Sequence, residues 1–254
     1  MSPYDQFILF GDSITQQSSA QDKGFGFSPA LQDAYIRRLD VVNRGFSGYN
    51  TSQALKVLER IIPDPEEAKV RFLTIFFGAN DARLPNEDQS PQYVSPEQYK
   101  QNLIQIIRNP RIVVQNPRII LVTPPPVDEY LMEINDRAKG ICAIRRTAAN
   151  TKYYAEIVKD VGRELEIPVL DIWTALMKDA GWNHDAPLTG SRQLPKMDAL
   201  EELLHDGIHF NPKAYNVLYM ELMELIRQRW PDQMPENLPL VFPAWDDASA
   251  WGYA

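Results

Sequence analysis

Cysteine is nearly missing from this chain: Cys142 is the only one in 254 residues. No internal disulfide can form, which fits a reducing compartment. No stretch approaches the roughly 18 apolar residues of a membrane span. The opening MSPYDQFILFGDS lacks a basic segment, and its apolar run is too short for a secretory signal. Basic residues are in deficit, 26 Lys plus Arg against 34 Asp plus Glu, for a formal charge of −8. Such a chain repels phosphate backbones, and no basic cluster offsets this, so nucleic acid is not an expected partner. Repeats, low-complexity tracts and linkers are also lacking. The expectation is a cytoplasmic protein without stable membrane insertion.

What is present suits a folded α/β chain. Hydrophobic residues make up 44%, enough for a sizeable core, and 24% are charged, which argues against disorder. One domain over 1–254 is expected, with a carboxy-terminal extension from about 231 that packs along the surface or ends loose in PAWDDASAWGYA.

Short apolar runs alternate with helical patterns. FILFGD, DVVNRG, VRFLTIFFGAND, RIILVTPPP and IPVLDI read as strands. SPALQDAYIRRL reads as a helix with an apolar stripe from Ala30 to Leu39. TSQALKVLERII is a second helix, capped by Thr51 or Ser52. In SPEQYKQNLIQIIR, Ser95 caps, Pro96 opens the first turn and Gln98 completes a capping box. A long helix falls within GICAIRRTAANTKYYAEIVKDVGREL, and a last one near NPKAYNVLYMELMELIRQRW. Strands without polar alternation, separated by helices, indicate a parallel sheet covered on both faces: a doubly wound three-layer α/β/α sandwich.

The first strand ends abruptly in Gly11-Asp12-Ser13. Sites in open parallel sheets form at the strands' carboxyl ends, and Gly11 would let the backbone turn there. Capping of a helix by Asp12 or Ser13 accounts for this motif taken alone. Three further segments change the balance. NRGFSGYNT offers a tight turn at Gly45 and Gly48, GAND places the Asn80 amide at the same edge, and HDGIHFNPKAY sets Asp206 and His209 three apart before a helix. Serine needs a base within reach, which His209 can supply through Nε2, with Asp206 holding Nδ1–H. The Ser13 and Gly48 N–H groups and the Asn80 amide can receive a tetrahedral oxyanion.

Ser13, Gly48, Asn80 and His209, in this order, resemble the SGNH hydrolases, or GDSL esterases. LFGDSIT, RGFSGYNTSQALKVL, TIFFGANDA and DGIHFNPKAY look like the isoamyl acetate-hydrolysing branch. The resemblance spans 7–215 and implies a flavodoxin-like sandwich and ester hydrolysis with neither cofactor nor metal. It implies Ser13 as nucleophile, His209 as base, Asp206 as its partner, and Ser13, Gly48 and Asn80 as oxyanion donors. The implied substrate is a small ester, short-chain and of acetate type, of an apolar alcohol; a homodimer is the assembly it suggests. Lysophospholipase, thioesterase and carbohydrate acetylesterase activities are the alternatives on the same site. The segment 182–204 departs from the branch, and no pocket role transfers to it.

Two readings from other classes compete. HDGIH places His205 and His209 four apart, as in a zinc-binding HExxH helix. Gly207 inside it, Pro212 behind it and a single further histidine, His184, weigh against a metalloprotease. A non-catalytic binding module on this fold is the other rival, though binding alone needs no nucleophile, base and oxyanion donors together. His205 is expected to be a surface or loop histidine and Cys142 a core or helix residue. Phe46, Tyr49 and Phe77 lie near the predicted edge, where core packing competes with lining an apolar pocket.

Overall fold

The computed structural model describes residues 2–85, 90–184 and 186–252. Along the chain run β1 (Asp5–Gly11), α1 (Ser13–Gln17), α2 (Phe27–Ala34), β2 (Leu39–Gly45), α3 (Thr51–Ile61) and β3 (Val70–Phe76). Then come α4 (Pro96–Ile107), α5 (Pro110–Gln115), β4 (Arg118–Val122), α6 (Glu129–Ala138) and α7 (Ala148–Glu164). The chain closes with β5 (Val169–Leu170), α8 (Ile172–Asp179), α9 (Pro212–Arg229) and α10 (Ala248–Trp251).

The five strands form one parallel sheet in the order β2-β1-β3-β4-β5. Side chains alternate across a strand, so strands apolar throughout must feed two cores. Phe7 and Leu9 of β1 enter one core with Leu31 of α2, Leu176 of α8 and Leu218 and Leu222 of α9. Ile8 and Phe10 enter the other with Leu58 of α3, Leu103 of α4 and Val158 of α7. Each such fully buried side chain contributes roughly 1.5–3 kcal/mol of transfer free energy. The result is the expected three-layer sandwich. In this strand order the direction of winding reverses between β1 and β3, which opens a crevice at their carboxyl ends. None of the described helices is long and apolar enough to cross a membrane.

Local details differ from the sequence reading. The stripe Ala30–Leu39 is cut at Ala34, because Leu39 pairs with Asp5 to begin β2. Sheet pairing wins over helical periodicity there, and the intervening turn puts Arg37 at φ 62°. Helix α3 is capped by Asn50, not Thr51 or Ser52. Asn50 Oδ1 accepts from Gln53 N–H while Gln53 Oε1 accepts from Asn50 N–H. The Thr51 hydroxyl is turned inward, donating to Asp81. Ser95 caps α4, but the Gln98 side chain donates to Asn102 Oδ1 rather than closing a capping box. Helix α1 opens where capping by Asp12 or Ser13 was expected, whereas α5, α6, α8 and α10 have no counterpart in the sequence reading.

Beyond Pro231 the chain returns over the amino-terminal half. Met234 and Leu238 are buried in the α2/α9 core, and Tyr35 Oη donates to Gln233 O at 3.0 Å. Arg37 Nη2 donates to the Phe242 and Pro243 carbonyls, while Trp245 is 83% exposed. The last two residues of the tail, 253 and 254, lie outside the described residues, as does Asp185 within 182–204.

Candidate active site

Strand β1 runs almost without a loop into α1. Asp12 caps that helix, its Oδ1 accepting from Ile14 N–H at 2.9 Å. Ser13 is the first helical residue, so its N–H has no acceptor within the helix. The neighbouring glycines serve close approach rather than turning, since neither Gly11 nor Gly45 has positive φ. A Cβ on Gly11 would lie 2.1 Å from Thr15 Oγ1, and one on Gly45 2.0 Å from Gln16 N. Bare backbone at these positions lets α1 press against the ends of β1 and β2.

His209 reaches Ser13 from the loop preceding α9. That loop is a tight return closed by an antiparallel bridge between Leu204 and Phe210 and by His205 N–H donating to His209 O. Gly207 sits at its apex with φ +89°. Asp206 Oδ1 accepts from the N–H groups of Ile208 (3.1 Å) and His209 (2.9 Å). Its other oxygen lies 2.7 Å from His209 Nδ1, and His209 Nε2 lies 2.8 Å from Ser13 Oγ. The three side chains form one hydrogen-bonded relay at the crevice.

Burial opposes ionisation of Asp206. The hydrogen bond and charge of His209, with the two backbone donors, outweigh it and hold the carboxyl well below the usual carboxylate range. Asp12 beneath behaves oppositely. Burial pushes it up to about 6, against the lowering effects of Ile14 N–H, His209 and Arg146.

The donor atoms of His205, Asp206 and His209 lie within 4.8 Å of one another. They do not fit the zinc-helix reading. Residues 204–210 form a bridged loop instead of a helix, both nitrogens of His209 are engaged, and His205 Nδ1 faces Phe210 O at 3.3 Å.

Gly48 and Asn80 border the same cavity of about 190 Å³ as Ser13, Asp206 and His209. Gly48 has φ +82°, and its N–H makes no hydrogen bond among the described residues. Asn80 follows β3; its Nδ2 donates to Tyr49 O at 2.9 Å, which leaves one amide hydrogen free. The remaining wall is mostly polar, including Ser47, Gln92, Asn135, Lys139 and Arg145, with Met132 and Ile208 as its apolar members.

Sequence reasoning missed these wall residues. Those on α6 and the loop after it would have needed α6 recognised in EYLMEINDRA. Phe46, Tyr49 and Phe77 do not line this cavity and pack against the α3/α4 core instead. No described residue of 182–204 lines it either. Cys142, expected in the core or a helix, is exposed in the loop between α6 and α7.

The GDSL-like Lipase/Acylhydrolase family matches residues 9–217. An isoamyl acetate-hydrolyzing esterase 1 homolog of Mus musculus is 35% identical over 96% of this chain and 88% of its own. A GDSL esterase/lipase of Arabidopsis thaliana is 33% identical over 94% and 91%. The isoamyl acetate-hydrolyzing esterase of Saccharomyces cerevisiae is 28% identical over 96% and 95%. The crystal structure of an acetylxylan esterase from Geobacillus stearothermophilus shares the fold, with a TM-score of 0.61, 20% identity and coverage of 89% and 96%. A family match over most of the chain thus joins a serine hydrogen-bonded to a histidine that an aspartate orients. The chain belongs to the GDSL-like lipase/acylhydrolase family and is a carboxylic ester hydrolase with a Ser-His-Asp arrangement.

Proposed function

We propose that this protein hydrolyses short-chain carboxylic esters, of acetate type, through an acyl-enzyme on Ser13. The observation that carries the reading is the relay from Ser13 Oγ to His209 Nε2 at 2.8 Å and from His209 Nδ1 to Asp206 at 2.7 Å. His209 takes the Ser13 proton as Oγ attacks the ester carbonyl. Asp206 holds the imidazole in the tautomer with Nδ1–H and stabilises the imidazolium that forms. The oxyanion accepts from Ser13 N–H, Gly48 N–H and the free hydrogen of the Asn80 amide. His209 then protonates the leaving alkoxide, and water, activated by the same base, releases the acid.

For the alcohol part, the relatives named for isoamyl acetate support an apolar group, and Met132 and Ile208 offer it a surface. A second reading, an acetyl ester of a polar alcohol such as a sugar, is favoured by the polar side chains of the wall. The lone cysteine supports a cytoplasmic setting. The test is a panel of p-nitrophenyl esters of rising chain length together with isoamyl acetate and an acetylated sugar, on wild type and Ser13→Ala. Higher kcat/KM for acetyl or butyryl than for palmitoyl esters, abolished in Ser13→Ala, supports the proposal. A palmitoyl preference moves the reading to a lysophospholipase or long-chain thioesterase.

A further inference from the structure

The hydrogen bonds around Asn80 determine which way its amide faces. Its Oδ1 accepts from two donors, Arg146 Nη2 at 3.0 Å and Gln92 Nε2 at 3.1 Å. Both donors are themselves anchored. Arg146 is 5% exposed and its Nε donates to Ala79 O at 2.6 Å. Gln92 Nε2 also donates to Gly48 O at 3.2 Å, while the backbone carbonyl of Gln92 accepts from Asn50 Nδ2. An amide whose oxygen is held by two donors cannot flip without placing its NH₂ against them. Donors on the oxygen also polarise the amide, which strengthens its N–H as a donor.

We propose that Gln92 and Arg146 are positioning residues for ester hydrolysis, locking the Asn80 amide with its nitrogen toward the cavity. Gln92 in addition ties Gly48 to Asn80, so the loop after β2 and the end of β3 keep a common geometry. This rests on the oxyanion role given to Asn80 above. Arg146 carries a positive charge into the same region, hydrogen-bonded to Asn80 and Ala79 and favoured by the nearby Asp12 and Asp136.

Kinetics on p-nitrophenyl acetate test this with Gln92→Glu, Gln92→Met, Asn80→Ala and the double variant Asn80→Ala/Gln92→Met. Gln92→Glu keeps the shape but replaces the donor with an acceptor. Both Gln92 variants are expected to lower kcat about tenfold, the scale of one ordinary hydrogen bond, with KM changing less than threefold and the melting temperature preserved. In the Asn80→Ala background, Gln92→Met should cost less than a further threefold. Wild-type kcat in Gln92→Glu, or a full tenfold loss persisting without Asn80, overturns the proposal. If Asn80→Ala itself leaves kcat unchanged, the oxyanion role fails and the positioning role with it. Loss with Asn80→Ala but not with either Gln92 variant rejects the positioning role alone. Arg146→Lys, if it folds, should lower kcat in the same way, because an ammonium cannot span Ala79 and Asn80 as a guanidinium does.

Discussion

Ser13 Oγ and His209 Nε2 lie 2.8 Å apart although 196 positions separate them in the chain. The contact joins the first turn after β1 to the loop before α9. Asp206 reaches the same imidazole from only three residues away. His209 therefore meets Asp206 through a local turn and Ser13 through the whole fold.

That difference orders the mutational costs. His209→Ala removes the proton acceptor bonded to the Ser13 hydroxyl and should cost at least as much kcat as Asp206→Ala. The double variant should lose far less than the product of the two single losses, because triad members act as a unit. Steady-state kinetics on p-nitrophenyl acetate check this, and multiplicative losses would count against a shared relay. A fluorophosphonate should label Ser13 in wild type and much more slowly in His209→Ala, read by peptide mass spectrometry.

In the proposed reaction the Asn80 amide gains contact as charge develops on the former carbonyl oxygen. Asn80→Ala should lower kcat about 10²–10³-fold with little change in KM. An effect confined to KM would assign Asn80 to ground-state binding.

Gly207 lies between Asp206 and His209 in the loop that carries both. Its φ is +89°, and a Cβ there would lie 2.6 Å from both Asp128 O and Met132 N. Gly207→Ala should destabilise the fold by about 1–3 kcal/mol from backbone strain, with further cost from the clash. It should also lower kcat, since the loop carries Asp206 and His209. Urea denaturation and kinetics at a temperature where the variant remains folded separate the two effects. Unchanged stability would mean that the loop relaxes freely.

Buried carboxyls set an acid-side dependence of stability. Burial raises Asp81 to about 7, above its ordinary 3.8, and Asp12 to about 6. A carboxyl raised on folding holds its proton more tightly in the native state, so stability falls as pH rises from about 4 through these values. The slope is at most about 1.4 kcal/mol per pH unit for each group. Asp206 runs the other way: its lowered pKa adds stability above the ordinary carboxylate range, lost only in more acid solution. Asp81→Asn can retain acceptance from Thr51 N–H and hydroxyl through its amide oxygen. It should flatten the fall in stability between pH 4 and 7. Denaturation midpoints across that range provide the check, and an unaltered slope would remove Asp81 as its source.

The pattern of apolar runs specified the parallel sheet and its covering helices, because strands buried on both faces carry no polar alternation whatever their neighbours are. The blocks around Ser13, Gly48, Asn80 and His209 were legible for a similar reason: each is a short turn or a helix start whose geometry is local. Asp206 and His209 meet through three residues of chain, and Asp12 caps α1 across two. Other features had no local signal. Leu39 left the helical stripe because Asp5 offered it a strand partner. Thr51 gave up the capping position because Asp81 took its hydroxyl. Gln92 and Arg146 bond to Asn80 across 12 and 66 positions, and the cavity wall draws on α6, whose helical pattern went unrecognised. The sequence by itself determined which groups could perform the chemistry and which segments carry them. Tertiary structure alone decided how those groups are held and what surrounds them, because hydrogen bonds between distant segments, and the room that Gly11 and Gly45 leave for α1, exist only once the layers have packed.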